Sequence, residues 1–462
     1  MKMTSESVLE GAASAARTVV PAKAEASAAA RVSPPPGDVA YAAQTITGAS
    51  SNRVDIWFVA DGYTADQADQ IADDVAAQMR YLTTDSLADP FGRYASYFNV
   101  HVVTSVSAEE GADRPDDGVF VDTAFDASYS WGGGPARLLY FDTFKADTAI
   151  DQVRPTGIDI DMRLGVVNSA IYGGGGGSYA VYSAGVASAG DLALHEIGHS
   201  FANLADEYFT PGAAYTGGER PEPNVTIDPT GARWAEWIGF DDGILGPIGA
   251  YEGGYYAETG VYRPTVDSKM RSLGRPFDAI AKEAFVLAFY DEVDPLDAWA
   301  FRDEADLGLT LTDEYGFFVD AIDESLIQQE WSVDGVLVAG ETGTELSIGR
   351  LGLSAGRYTL SVRAYDDTDL VRGDRSSLEQ TVSWVLDLSY AATDGTGGAD
   401  ALDGTAGRDR LAGLGGDDRL FGLDGDDLLL GGGGGDTLVG GLGSDVIQGG
   451  AGADVIYGDL SA

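Results

Sequence analysis

The chain has only 3 histidines in 462 residues, and two of them stand four apart around a glutamate in "LALHEIGHSFANLADEYF". On a helix, side chains four apart project one turn above each other on the same face. His195 and His199 can therefore grip one Zn²⁺ through neutral imidazole nitrogens, and Glu196 can reach a water on that ion as general base. Leu192, Ile197 and Phe201 mark the apolar side of such a helix. Two ligands do not complete a catalytic zinc site. The chain has no cysteine, so the third ligand must be histidine or carboxylate. The remaining histidine, His101, lies in "FNVHVVTSV", where one face of a strand or a surface position accounts for it. Asp206 and Glu207 are left. If the helix continued, Asp206 would sit about 10 Å beyond His199 along its axis, so the backbone has to turn back. Asn203 is the natural place, because asparagine tolerates the left-handed conformation. Asp206 is preferred as the ligand and Glu207 is the alternative, the other acid supporting the one that binds.

The elements that must carry this site are legible in outline. Residues 1–38 are rich in Ala, Ser and Pro, end near "SPPPG" and show no sustained period, as expected of a disordered leader or propeptide-like arm. Residues 39–295 mix strand candidates with a few long helices and read as an α+β catalytic domain. Its strands are expected at "VDIWFVADGY", "FNVHVVTSV", "ARLLYFD", "LGVVNS" and "YAVYS". A helix follows Thr64 and Gln67, which form a capping box, with Ile71, Val75, Met79 and Leu82 along one face. Another helix covers "FDAIAKEAFVLAFYDEV". Residues 296–390 alternate apolar and polar positions in short turn-bounded runs, as a small Ig-like β-sandwich would.

From Gly395 onward the sequence repeats every nine residues. Aspartate recurs at Asp400, Asp409, Asp418, Asp427, Asp436, Asp445 and Asp454, each followed two residues later by Leu or Ile. Glycine allows tight turns, the apolar residue points inward, and stacked turns gather oxygens of the kind that select Ca²⁺. This array, residues 391–462 as a domain, resembles the G-G-x-G-x-D-x-U-x repeat of RTX proteins, which implies a parallel β-roll. From Asp394 to the end there are 13 Asp and 3 Arg, so folding and calcium binding are expected to be coupled.

The site segment, together with "VADGYTADQ", "YFNVHVV", "AEEGAD", "VVNSAIYGGGGGSYA", "EPNVT" and "YEGGYYAETGVYRPTVDSKMRS", resembles the IgA metallopeptidase family of zincins. The turn after His199 is also similar to the metzincin signature H-E-x-x-H-x-x-G-x-x-H, lengthened by one residue. The resemblance implies His195, His199 and Asp206 as zinc ligands, Glu196 as base and Met270 as the methionine beneath the ion, where an ordinary core methionine is the alternative. Tyr262 and Arg263 in "GVYRP" are candidate oxyanion donors, with packing or structural pairing as the other explanation. The loop "YGGGGGSYAVYS" either lets a substrate backbone lie close or is a plain connector.

A net charge of −46 argues against nucleic acid and anionic lipid as partners. No run is long and apolar enough for membrane insertion, and the first residues lack the core of a Sec signal. The expectation is a secreted zinc endopeptidase that hydrolyses extracellular polypeptides and leaves a bacterium by a Sec-independent, one-step secretion machinery. A calcium-dependent extracellular adhesion or surface protein with an idle zincin domain is the rival.

Overall fold

The computed structural model describes residues 39–302, 316–347, 351, 357–387 and 391–458; the leader expected over residues 1–38 lies outside them. Among the described residues the architecture is mixed α/β, with few helices and many strands. It forms two compact units: one reaches to Asp294 and includes Thr368–Leu378, while the other holds Pro295–Asp367 and the chain from Glu379 onward.

The first unit is built on a six-stranded sheet of β1 (Ala40–Thr45), β2 (Val54–Asp61), β3 (Phe98–Thr104), β4 (Met162–Val167), β5 (Gly174–Gly175) and β6 (Ala180–Ser183), in the order β1-β3-β2-β4-β6-β5. The inner strands β3, β2, β4 and β6 are parallel; β1 and β5 run antiparallel to their neighbours at the two edges. Every residue of β2 is buried, Asp55 and Asp61 included, and its apolar stretch over residues 56–60 suits a parallel sheet covered on both faces. Trp57 and Val59 face α2 (Thr143–Val153), packing in one cluster with Ala146, Ala149 and Ile150. α3 (Ala189–Ser200) packs on β6 and β4, with α1 (Ala68–Thr84) alongside it. A side chain on Gly190 would run into the ring of Tyr81, so glycine there allows the close approach of these two helices.

The expected first helix is present, entered through a short 3₁₀ turn at which Thr64 N donates to Gln67 Oε1 at 2.9 Å. Its buried face holds Ile71, Val75 and Leu82, with Gln78 in the place expected of Met79. "ARLLYFD" does not become a strand: Leu138 and Tyr140 make isolated bridges only. The run is cut short because Asp142 caps α2, accepting from Phe144 N at 3.0 Å and Lys145 N at 3.2 Å. His101 belongs to the strand face, not the surface. It is fully buried, with Nε2 2.6 Å from Asp55 Oδ1 and Nδ1 3.0 Å from the Tyr41 hydroxyl, stacked on Trp57. Beyond α3, a second small sheet pairs β7 (Phe209–Ala214), β8 (Tyr251–Gly254) and β9 (Tyr256–Arg263) in the order β7-β9-β8. The late helix α4 (Ala279–Tyr290) starts at Asp278, whose carboxylate accepts from Ala281 N.

The second unit contains two antiparallel sheets and the repeats. One sheet is β10 (Leu296–Arg302), β11 (Gly316–Ala321) and β14 (Glu345–Ser347); the other is β12 (Ile327–Val333), β13 (Val336–Leu337), β15 (Arg357–Asp366) and β16 (Glu379–Asp387). Asp334 and Gly335 both have positive φ at the tip of the β12–β13 hairpin, the two-residue turn that suits the twist of paired strands. The sheets meet where Phe317 and Trp384 lie with ring centroids 5.0 Å apart.

The repeats stack as parallel strands. β17 (Ala391–Asp394), β19 (Asp409–Ala412), β21 (Leu428–Gly433) and β23 (Val446–Ala451) make one sheet; β18 (Ala401–Asp403), β20 (Arg419–Asp424), β22 (Thr437–Leu442) and β24 (Val455–Tyr457) make the other. A nine-residue period thus yields one strand per repeat, delivered alternately to the two sheets. Leu411, Leu420, Leu429 and Leu438 are fully buried between them.

Candidate metal centre

α3 presents His195 and His199 one turn apart, their ring nitrogens Nε2 3.3 Å from each other. Each ring is aimed by its other nitrogen. His195 Nδ1 lies 3.1 Å from Lys269 O and His199 Nδ1 2.7 Å from Leu204 O. A carbonyl only accepts, so Nδ1 carries the proton and Nε2 keeps a free lone pair towards the centre.

The helix ends at Ser200, and the chain reverses at Asn203, whose φ is +50°. The turn returns Asp206 to the histidines: its Oδ1 is 3.2 Å from His195 Nε2 and 3.4 Å from His199 Nε2. Three donor atoms with mutual distances of 3.2, 3.3 and 3.4 Å match one face of a tetrahedron around an ion with bonds of about 2.0–2.1 Å, whose edge is about 3.3–3.4 Å. Asp206 Oδ1 is moreover buried without a hydrogen-bond partner, an arrangement that is costly unless a cation faces it. The residues present therefore fit a tetrahedral metal. The side chains of His195 and His199 remain 12% and 21% exposed, so the cluster is not sealed from solvent.

Protons and metal compete for these atoms. Burial opposes charge on both His199 and Asp206, yet the mutual attraction wins: the imidazole is raised to about 9, and the carboxyl is held well below its usual range. Glu196 is buried within 4.8 Å of the two ring nitrogens. Desolvation pushes its carboxyl up, and the neighbouring histidines pull it part of the way back.

Glu207 points elsewhere. Its Oε1 accepts from Asn224 Nδ2 at 2.9 Å and its Oε2 from Ser268 Oγ at 2.6 Å, while its backbone N–H donates to Met270 O at 2.8 Å. Asn224 also brackets Ala205, accepting from its N–H and donating to its C=O. The returning strand is thus clamped to the loop of Met270. That methionine is fully buried directly under Gly198, where a Cβ would meet its sulfur at 2.8 Å; a larger residue there, in the last turn of α3, would push the two apart. Burial, and next to it the charge of Asp278, push the Glu207 carboxyl up, while Ser268 and Asn224 pull it part of the way back.

The side-chain contacts of Arg263 lead away from the centre. The Arg263 guanidinium is buried against the carbonyls of Glu252, Gly253 and Val266, and Tyr262 pairs through its backbone with Thr226. Two further tyrosines, not named from the sequence, lie at the centre. Tyr256 donates its hydroxyl to Asp206 Oδ2, and Arg137 donates to the hydroxyl of Tyr208, whose ring packs against Tyr256. Tyr255 and Tyr256 have φ of +46° and +64°, a conformation unfavourable for residues with a Cβ. Tyr255 is held there by its N–H to Asp206 O at 2.8 Å. The glycine loop also borders the site. A Cβ on Gly174 or Gly176 would crowd the Glu196 carboxylate, and one on Gly176 would also press on His199, so glycine is needed for this approach whether or not a substrate lies there.

Asp191 and Lys269 were not singled out from the sequence. Lys269 is fully buried and its ammonium pairs with Asp191 in the first turn of α3; Asp191 also accepts from the Tyr81 hydroxyl and Gly274 N. This pair ties the Met270 loop to the helix and sets the carbonyl of Lys269 against His195.

Residues 43–247 match the family model described as IgA Peptidase M64. This segment is similar to that family, in agreement with the resemblance of its motifs. Residues 394–429 and 430–461 match the RTX calcium-binding nonapeptide repeat. No individually curated protein matches the chain. The M64 match suggests a peptidase, and such a family implies a polypeptide substrate. The repeats imply calcium binding and are typical of secreted bacterial proteins. Among the described residues no helix is long and apolar enough to cross a membrane.

In the roll, Asp409, Asp418, Asp427 and Asp436 are buried, whereas Asp400, Asp445 and Asp454 are partly exposed. The outer oxygens Oδ2 of Asp418, Asp427 and Asp436 are buried without partners. Those of Asp400 and Asp409 accept hydrogen bonds from Thr396 and Thr405. The seven aspartates named from the repeat are therefore not equivalent in burial or in hydrogen bonding.

Proposed function

We propose that the chain is a secreted zinc endopeptidase with His195, His199 and Asp206 as zinc ligands, Glu196 as general base and calcium as a structural ion of the roll. One observation carries this reading: two imidazole nitrogens and an unpartnered carboxylate oxygen, 3.2–3.4 Å apart, with a buried glutamate directly beside them. Zinc, when bound, supplies Lewis acidity that polarises a peptide carbonyl and makes water easier to deprotonate.

The protein's own residues do the rest. Glu196 takes a proton from the attacking water and returns it to the departing amine; its raised pKa brings proton uptake and release closer to neutral pH. Tyr256 holds Asp206 Oδ2, so that Oδ1 faces the rings. Lys269 O and Leu204 O fix the tautomer of both histidines. Residues 39–295 are read as the zincin-like catalytic domain, residues 296–390 as the sandwich and 391–462 as the roll. The facing antiparallel sheets favour the second assignment and the stacked parallel ladders the third. Export through a Sec-independent route fits a roll that needs calcium scarce in the cytosol and plentiful outside.

The test compares zinc content and casein hydrolysis in the wild type and Glu196→Ala. Zinc in both with hydrolysis in the wild type alone is the expected result. Equal inactivity of two zinc-loaded proteins would end the peptidase reading.

A further inference from the structure

The glycine turns of the roll fall into two classes, although the nine-residue period runs through all of them. In the turns that end at Asp418, Asp427 and Asp436, Oδ1 accepts the backbone N–H of the aspartate 18 residues earlier, at 2.8 Å in each case. The other oxygen, Oδ2, is buried and accepts nothing. In the turns that end at Asp400 and Asp409, Oδ2 accepts two hydrogen bonds from one threonine: from Thr396 N at 2.6 Å and Oγ1 at 2.9 Å, and from Thr405 N at 2.5 Å and Oγ1 at 2.9 Å.

The backbone separates the same two classes. The residue after the first glycine of the turn is left-handed in every later repeat, at Leu414 (+69°), Leu423 (+75°), Gly432 (+100°), Gly441 (+111°) and Gly450 (+94°), but not at Thr396 or Thr405. The glycine two positions on behaves likewise, with positive φ at Gly416, Gly425, Gly434, Gly443 and Gly452 and not at Gly398 or Gly407. Leucine adopts this conformation unwillingly, so at Leu414 and Leu423 something in the turn has to compensate.

Carbonyl oxygens stand beside the carboxylates. A Cβ on Gly413 would collide with Asp418 Oδ2 and Gly431 O together; Gly422 stands in the same relation to Asp427 and Gly440 O, and Gly431 to Asp436 and Gly449 O. The buried Oδ2 atoms have no donor and a carbonyl oxygen next to them, a pairing that a hard cation satisfies. The neighbouring carboxylates add to the demand. Burial together with Asp436, Asp400 and Asp417 pushes Asp418 up, and burial with Asp445, Asp409 and Asp426 does the same to Asp427. Gly404 would meet Asp409 Oδ2 and Gly422 O in the same manner, so the carbonyl is common to both classes and the threonine is what distinguishes them.

Resting on the calcium-binding reading of the repeats, we propose that calcium enters this roll only from the third turn onward, with Asp418, Asp427 and Asp436 each contributing to a bound ion. In the first two turns threonine takes the place of the cation at Asp400 and Asp409. Those two turns need no ion to satisfy their carboxylates and form an end on which the calcium-bound turns stack.

The experiment is anomalous diffraction from crystals of the full chain grown with calcium, joined to an ion count by equilibrium dialysis. Peaks beside Asp418, Asp427 and Asp436 and none beside Asp400 or Asp409 are expected. Asp427→Asn should lose one ion per chain and Asp409→Asn none. A peak at Asp409 Oδ2, or loss of an ion in Asp409→Asn with a circular dichroism spectrum like the wild type, overturns the division. Absence of calcium from every turn overturns the calcium reading itself, a different and recognisable outcome.

Discussion

The metal centre on α3 and the roll both collect buried carboxylate oxygens, but they differ in what holds those oxygens still. Around Asp206 the protein supplies the frame: two carbonyls aim the rings, Tyr256 holds the outer oxygen, and Glu207 and the Asp191–Lys269 pair clamp the surrounding loops. In the later turns of the roll there is no such frame. Each Asp accepts from the backbone of the Asp two repeats earlier, and the stack accumulates like charges around unpartnered oxygens. Where side chains and carbonyls pre-organise a site, a metal is added to a folded protein; where they do not, the metal is part of the folding reaction.

The largest effect should come from removing one ion and keeping the other. In calcium-free buffer with zinc supplied, hydrogen exchange should lose protection across β21 to β24 while α3 and the Met270 loop stay protected. Equal loss in both would erase the contrast. Next, Asp206→Ala should lose its zinc by metal analysis and its activity by at least the about 10²–10⁴-fold expected for a missing general base. Zinc retained in Asp206→Ala but lost in Glu207→Ala would exchange the roles of the two acids. Lys269→Met leaves Asp191 charged and buried without its partner, and should cost about 3–5 kcal/mol in denaturant unfolding of the catalytic unit. A change no larger than that of an exposed substitution would show that the clamp is dispensable. Glu207→Ala should keep the fold-back but weaken zinc affinity about 10–100-fold, as loss of a supporting hydrogen-bond partner does.

The smallest effect concerns pH. In the folded roll Asp427 is raised to about 6, above the about 3.9 of an unfolded aspartate. Its contribution to the calcium-free roll is thus present below about pH 4 and is lost as pH rises through 6. Calcium demands the ionised form, so the dependence reverses when it is bound. Calcium-free protein should show more strand signal by circular dichroism at pH 4.5 than at pH 7.5, and the calcium needed for folding should rise as pH falls below about 6. The same slope with and without calcium would sink this account.

Several elements could be read from local patterns because local physics decides them. The apolar stretch of β2 over residues 56–60, the stripe of α1 and the turn at Asn203 each depend on residue types within one stretch of chain. The segments that frame the site were visible as motifs, in "EPNVT" and "DSKM", without their roles. That Asn224 brackets Ala205, or that Ser268 meets Glu207 across 61 residues, follows from where distant loops come to rest. Tyr262 and Arg263 were drawn to attention by chemistry that polar residues can perform. Arg263 is used on backbone carbonyls instead, and Tyr256, seven residues before it, is the neighbour of Asp206. α2 escaped notice because its short amphipathic stripe follows a strand-like run that Asp142 interrupts.

The sequence alone determined that His195 and His199 share a helical face, that a carboxylate had to join them, and that the last part of the chain is a nine-residue repeat with inward leucines. These depend on period and composition, and both act over a few residues. Which carboxylate turns inward, which threonines occupy the acids of the first two turns, and which oxygens remain without partners were decided by tertiary structure. A side chain's hydrogen bonds depend on all the groups within reach, and most of those groups come from elsewhere in the chain.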